Sequence, residues 1–320
     1  MDCDTGTDDA IALICALNTP YVDLRAVTTV AGNADLCHTA PNTLNLMRDL
    51  GSDIKVSVGA ERPLKRILDE VREKVDESAG QIDTHGDNGL GGIVLPKADE
   101  PFYRLDAVET IYEEAVACGG ELVLVPTGPL TNIASALIKH PDLKAGMIKK
   151  IVFMGGACKG GNTTAVAEFN ILCDPEAAHI VLMSGIPCTM VGLDVTEKAE
   201  VSDRLCDEIA KIGTKDARLC HEILQFMKVR RDEHGGEGLL MHDGLALAAA
   251  VVPEVVKCRH LFVDAECDGK YTFGHTYVAF DNRLGDFKPN CDVALEVDME
   301  VFQKYMLKCM LNSVERQNLI

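Results

Sequence analysis

Four carboxylates, Asp2, Asp4, Asp8 and Asp9, fall within the first nine residues, Met-Asp-Cys-Asp-Thr-Gly-Thr-Asp-Asp, with Gly6 between the two pairs. Like charges this close repel strongly unless something cationic sits among them. An all-oxygen donor set suits Ca²⁺ or Mg²⁺ rather than zinc. The apolar run Ala10 to Leu17 reads as a helix beginning at the second pair. Asp8 and Asp9 then occupy its first turn, where free N–H groups and the macrodipole favour negative charge. An acidic helix cap in a solvated loop is the plainer alternative. Far downstream, Met241-His-Asp-Gly precedes a second apolar run, Leu245 to Val252, and puts His242 and Asp243 at another helix start. Between these ends lie Asn162, Glu168 and Asn170 in a polar stretch, and His85 inside the Gly-rich segment Gln81 to Gly92. Polar, Gly-rich segments of that kind are often lids or binding loops. Taken singly, the asparagines could be turn formers and each histidine an ordinary polar residue.

The elements that must position these groups alternate between strand and helix. Val22–Val30 is rich in β-branched residues and ends at Ala31-Gly-Asn33; a helix follows over 36–50, and Ile54–Val58 is a second strand. A helix near 105–118 leads to the strand Glu121–Pro126, which opens into Thr127-Gly-Pro-Leu-Thr-Asn132 and a helix over 131–139. The strand Lys150–Met154 runs into a glycine stretch too irregular for a dinucleotide fingerprint and without a P-loop lysine. Asp174-Pro-Glu starts a helix, and the strand Cys188–Leu193 ends at Asp194. Residues 202–233 read as charged helix. The last part reads as short strands (Leu261–Glu266, Tyr271–Phe273, His275–Phe280, Val293–Val297) before a final helix near 298–312. This alternation predicts an α/β fold with a mostly parallel central sheet flanked by helices, an open, Rossmann-like architecture. In such sheets ligands bind beyond the carboxyl ends of the strands, and Asp4, Asn33 and the later motifs fall at predicted strand ends. With no internal repeat or clear linker, 1–320 reads as a single domain carrying a mobile loop at 75–95 and a helical insertion at 200–240.

Composition narrows the function. A net charge of −19 argues against a nucleic-acid or anionic-membrane surface, which needs clustered Lys and Arg. No apolar run approaches the roughly 18 residues of a membrane span, and no signal peptide precedes the first motif. The 13 cysteines are scattered without a CxxC pair, which reads as reduced thiols packed as small hydrophobes in a cytoplasm. Trp is absent and aromatics are 5%, so a pocket here grips its ligand mainly by polar contacts.

Four stretches together, Asp2–Asp9, Val125–Asn132, Ala167–Asn170 with Asp174–Ala178, and His242-Asp243, resemble the inosine/uridine-preferring nucleoside hydrolases, in order and over nearly the whole chain. The resemblance implies a nucleoside hydrolase-like fold and a Ca²⁺-dependent ribonucleoside hydrolase. It implies that Asp4, Asp9, the carbonyl of Thr127 and Asp243 bind the calcium, and that Asp4 is also the general base toward water. Asp8, Asn33, Asn162, Glu168 and Asn170 would hold the ribose hydroxyls with Met154 nearby. His242 would face the leaving base as acid, with His85 on the mobile loop, and the protein would be a homodimer or homotetramer. The residue types suit the chemistry. Breaking a ribosyl C–N bond passes through an oxocarbenium-like state, and Ca²⁺ acidifies water less than Zn²⁺, so a neighbouring carboxylate is needed. Asn and Glu suit a polyhydroxylated ring, because each unpaired buried polar group costs roughly 1–3 kcal/mol.

Two departures from the family pattern stand out. Relatives carry several apolar residues before the aspartates, whereas only Met1 precedes Asp2; a start upstream of Met1 is the expectation, since a shortened central strand would hold Asp4 poorly. Over 225–238, where relatives often place tyrosines, this chain has Gln225, Phe226, Arg230, Arg231 and His234. Base preference is thus open, although the absence of Trp disfavours the purine-only type that stacks its base on tryptophans. Two rival functions fit part of the pattern. A Mg²⁺-dependent aspartyl phosphatase would use Asp2 as nucleophile and Asp4 as its acid/base partner, but it gives no reason for Asp8-Asp9 or His242-Asp243. A non-catalytic Ca²⁺-dependent nucleoside-binding protein would share the whole site.

Overall fold

The computed structural model describes residues 1–65, 85–86, 88–234, 238–281, 283, 285 and 287–311. Most of the loop expected at 75–95 therefore lies outside the described residues.

Three parallel strands open the chain: β1 (Asp2–Cys3), β2 (Ala26–Thr29) and β3 (Lys55–Ser57), in the order β1-β2-β3. A six-stranded sheet follows, built from β4 (Leu122–Leu124), β5 (Ile148–Met154), β6 (Cys188–Val191), β7 (Val256–Ala265), β8 (Thr276–Ala279) and β9 (Cys291–Val297), in the order β4-β5-β6-β9-β7-β8. A parallel bridge between Asp2 and Pro126 joins the two sheets edge to edge. The pairs from β4 through β9 are parallel, and β7 and β8 add an antiparallel flank. The mostly parallel sheet expected from the alternation is observed.

Helices cover both faces, and β5 shows why. Ile151 and Phe153 pack into one core with α3 (Ala107–Cys118), α4 (Thr131–Lys139) and α6 (Pro175–Leu182). Val152 and Met154 pack into the other with α1 (Thr7–Asn18), α8 (Asp203–Ile212), α9 (Lys215–His234), α10 (His242–Val251) and α11 (Met299–Met310). Successive strand residues point to opposite faces, so a strand apolar at every position demands helices on both sides. Helix α1 is buried over all ten residues from Thr7 to Ala16, as an apolar helix between a sheet and other helices must be. Helix α2 (Leu36–Asp49) lies beside β2 and β3, and the short α5 (Phe169–Cys173) and α7 (Leu193–Thr196) follow the ends of β5 and β6.

Some expectations are corrected. The strand expected to reach Leu193 ends at Val191, because Gly192 caps α7 and leaves Asp194 inside a helix. Residues 271–273 are turn, not strand; they sit in the connection from β7 to β8, closed by the Gly274 N–H on the Glu266 carbonyl at 2.8 Å, with Gly274 at φ +77°. Strand β7 starts five residues earlier than expected, its Val256–His260 half pairing with β9. Strand β1 is only two residues long, and a cavity of about 560 Å³ lies beside it, lined in part by Met1, Asp2, Leu24 and Leu124. Asp4 is nevertheless held, by a donor from the end of β2 described next.

Candidate active site

The chain leaves β1 and turns straight into α1. Gly6 is the N-cap: its N–H donates to Asp9 Oδ2 at 2.9 Å, and its carbonyl accepts from Ala10 N at 3.1 Å. Asp8 and Asp9 thus stand in the first turn of α1, and Asp243 in the first turn of α10. The two helix starts converge, so that oxygens of Asp8, Asp9 and Asp243, all buried, lie within 4.8 Å of one another. Two macrodipoles partly offset this charge.

Neighbouring strand ends tie the carboxylates down. Asp9 Oδ1 accepts from Thr127 Oγ1 at 2.6 Å, and Asp9 Oδ2 accepts from Asn33 Nδ2 at 3.2 Å. Asp4 Oδ2 accepts from the Asn33 N–H at 2.7 Å. Gly32 and Gly128 let the backbone close over Asp4: a Cβ on either would stand 2.1 Å from Oδ2 or 2.6 Å from Oδ1. Asp4 Oδ1 is buried and has no hydrogen-bond partner among the described residues. Burial, then the charge of Asp9, holds Asp4 well above the usual carboxylate range. Asp9 is raised by burial and then by Asp8, and Asp243 by burial and then by Asp8, Asp9 and Asp4. An orphan oxygen among mutually repelling buried carboxylates is a poor arrangement on its own and a good one around a hard cation. A set of several protein oxygens with no nitrogen or sulfur suits Ca²⁺, which takes six to eight oxygens, better than Mg²⁺, which keeps its waters.

The groups expected to bind sugar sit around this cluster. Asn170 donates to the Thr127 carbonyl at 2.7 Å and to Met154 Sδ at 3.2 Å, joining the ends of β4 and β5. Glu168 is 1% exposed; its carboxylate accepts from the N–H groups of Gly156, Asn170 and Ile171 at 2.8 to 3.1 Å, and burial raises its pKa. Asn162 is exposed, and its Oδ1 accepts from Phe169 N at 3.0 Å, so the structure ties it to the start of α5 rather than to the carboxylates. His85 lies over the start of α1, where Nδ1 accepts from the Thr7 N–H at 3.2 Å. His242 is half-buried, with Nδ1 2.8 Å from Thr196 Oγ1; burial lowers its pKa, which the nearby Asp8 charge partly counters. From the 225–238 stretch, Phe226 packs against Gly86 and Gly91, on the loop that follows His85.

Sequence reasoning missed four supporting residues. Thr196 was hidden by placing a strand through Leu193. Gly32 and Gly128 stand in the Ala-Gly-Asn and Thr-Gly-Pro stretches singled out for their neighbours. Asn132 closes the Thr127–Asn132 motif and works behind the site: Nδ2 donates to Asp2 Oδ1 at 2.8 Å and to the Thr29 carbonyl at 2.9 Å, while Oδ1 accepts from Ala60 N at 2.8 Å. Asp2, the nucleophile of the phosphatase alternative, is held there, its Oδ1 also accepting from Thr28 Oγ1 at 2.5 Å.

A mostly parallel α/β fold with carboxylate oxygens gathered beyond its strand ends defines a cation-binding α/β protein. A model of the inosine-uridine preferring nucleoside hydrolases matches residues 1–304. The chain is 39% identical over 318 residues to the pyrimidine-specific ribonucleoside hydrolase RihA of Photobacterium profundum, covering 98% of each protein. It is 40% identical over 305 residues to RihA of Salmonella arizonae, covering 94% of each. Among solved structures, a purine-preferring ribonucleoside hydrolase from Gardnerella vaginalis superposes with a TM-score of 0.86 at 32% identity, over 97% of this chain and 96% of that one. The chain belongs to the inosine-uridine preferring nucleoside hydrolase family. It is an enzyme that cleaves the N-glycosidic bond of nucleosides, and its buried Asp8–Asp9–Asp243 cluster matches the calcium site of the family. That assignment sets the phosphatase reading aside. Among the described residues no helix is long and apolar enough to cross a membrane.

Proposed function

We propose that the enzyme hydrolyses pyrimidine ribonucleosides to ribose and free base, with Asp4 as general base and His242 as the proton donor to the leaving base. The observation that carries this reading is Asp4 Oδ1, buried without a partner beside the Asp8–Asp9–Asp243 group. Asp4, Asp9, the Thr127 carbonyl and Asp243 would hold calcium, with Asp8 alongside. When bound, calcium supplies a positive charge that makes water more acidic and orients the vicinal ribose hydroxyls. Asp4 takes the proton of the attacking water as the C1′–N bond breaks. Asp8, Asn33, Glu168 and Asn170 bind ribose hydroxyls beside Met154, and Asn162 and His85 complete the rim once substrate is present. Analogues lacking a ribose hydroxyl are then rejected strongly, because buried groups lose their partners.

The pyrimidine preference is supported by the 39–40% identical relatives named for it and by the absence of Trp. Uridine, cytidine, inosine and adenosine, assayed for free ribose with calcium and with chelator, test it; release from inosine and adenosine but not from uridine would overturn the base assignment. Tight nucleoside binding with no ribose formed over long incubation would favour a non-catalytic binder instead. His242→Ala should slow hydrolysis of natural nucleosides by about 10²–10⁴-fold and spare nitrophenyl riboside, whose leaving group needs no protonation. Equal slowing of both removes the donor role. We further propose a single-domain cytoplasmic enzyme with a helical insertion over 200–240. It would assemble as a homodimer or homotetramer and leave nucleic acid unbound at a net charge of −19. Light scattering on the purified protein reads the assembly.

A further inference from the structure

Helix α7 ends at Thr196, whose N–H is bonded to the Gly192 carbonyl at 3.1 Å and whose residue is 0% exposed. Its Oγ1 stands 2.8 Å from His242 Nδ1. Among the described residues Nδ1 is the group that Thr196 Oγ1 reaches. A ring that gives up a proton does so as the imidazolium, which carries hydrogen on both nitrogens, so its Nδ1–H donates to Thr196 Oγ1 and its Nε2–H is the one given away. Loss of the Nε2 proton leaves a neutral ring with its hydrogen on Nδ1, still held by the threonine oxygen. The same contact fixes ring rotation, because Thr196 is anchored in a helix packed against α10.

We propose that Thr196 is a positioning residue for His242: its hydroxyl oxygen accepts from Nδ1–H, so that Nε2–H is aimed at the leaving base and its transfer leaves a neutral ring still held at Nδ1. The proposal rests on the reading of His242 as proton donor. Hydroxyl and methyl groups are of similar size, so Thr196→Val removes the hydrogen bond and little else, while Thr196→Ser keeps it.

The test compares the wild type, these two variants and His242→Ala on uridine and on nitrophenyl riboside, with calcium present throughout. Thr196→Val should lower kcat on uridine by about 10–100-fold, as expected when a donor is kept but misaimed. KM should change by less than about threefold, and nitrophenyl riboside should be hydrolysed at close to the wild-type rate. Thr196→Ser should recover most of the uridine rate. Nitrogen chemical shifts of the neutral ring, read by NMR, should report the Nδ1–H tautomer in the wild type and in Thr196→Ser, and a mixture in Thr196→Val. Equal slowing of both substrates by Thr196→Val, unchanged rates on both, or an Nε2–H tautomer in the wild type would overturn the proposal. If His242→Ala is selective for uridine and Thr196→Val is not, the positioning role alone fails. If His242→Ala slows both substrates equally, the donor reading fails first and takes this inference with it.

Discussion

Asp2 and Asp4 stand two residues apart at the end of one short strand, are 2% and 0% exposed, and each keeps one buried oxygen without a hydrogen-bond partner among the described residues. Their surroundings differ. Asp2 faces hydroxyl and amide donors, Thr28 and Asn132, beside the cavity behind β1, and burial pushes its pKa up to about 6. Asp4 faces the start of α1, where the charges of Asp9 and Asp8 add to burial and lift its pKa well above the usual range. An orphan oxygen therefore does not by itself mark a reactive carboxylate. The company of other carboxylates does, because only a shared cation relieves all of them together.

Removing calcium should act most strongly on this contrast. Chelation should abolish ribose release, and restoring free calcium to a hundred times its Kd should stabilise the fold by about 2.7 kcal/mol, read as a rise in Tm. The metal-free protein should also be sensitive to pH. Asp4, Asp9 and Asp243 have folded-state pKa values raised above the unfolded value near 3.9. Their contribution to stability is fully present below about pH 4 and is lost as pH rises through the raised values. Tm of the metal-free enzyme should thus fall as pH rises above about 4, and that of the calcium form should fall less; parallel curves would show that the cluster is not relieved by the ion.

Asp4→Asn comes next. It should reduce kcat by about 10²–10⁴-fold and leave nucleoside binding largely in place, and normal turnover would remove the general-base role. Asn132→Leu should act on stability first, since it strips partners from the Thr29 carbonyl and the Ala60 N–H at roughly 1–3 kcal/mol each. A thermal melt reads that loss, and a calcium titration reads any loosening of the Thr127 turn; an unchanged melt would show that this clamp is dispensable. Asp2→Asn should have the smallest effect. It keeps an acceptor for Thr28, should change kcat by less than roughly fivefold, and should stabilise the protein slightly above pH 6, because the charged form of a carboxylate with a raised pKa is what burial penalises. A loss of turnover as deep as that of Asp4→Asn would erase the distinction between the two.

The layered α/β order, the helix starts at Asp8-Asp9 and His242-Asp243, and the oxygen chemistry of the candidate ligands are legible in the order of the amino acids. These are properties of local pattern: an apolar period, a cap and a charge run are written in neighbouring residues. The misplacements were also local. Gly192 ended a strand two residues early and hid α7, and the turn at Gly274 displaced a strand from Tyr271–Phe273. Only the tertiary structure decided that Asp243 meets Asp8 and Asp9 within 4.8 Å, that Asp2 is turned to Thr28 and Asn132, and that Thr196 lies against His242. Those pairings join residues far apart in the chain, or set two neighbours against different surroundings. They are fixed by strand register and by how helices pack across the sheet, which no short stretch of sequence contains.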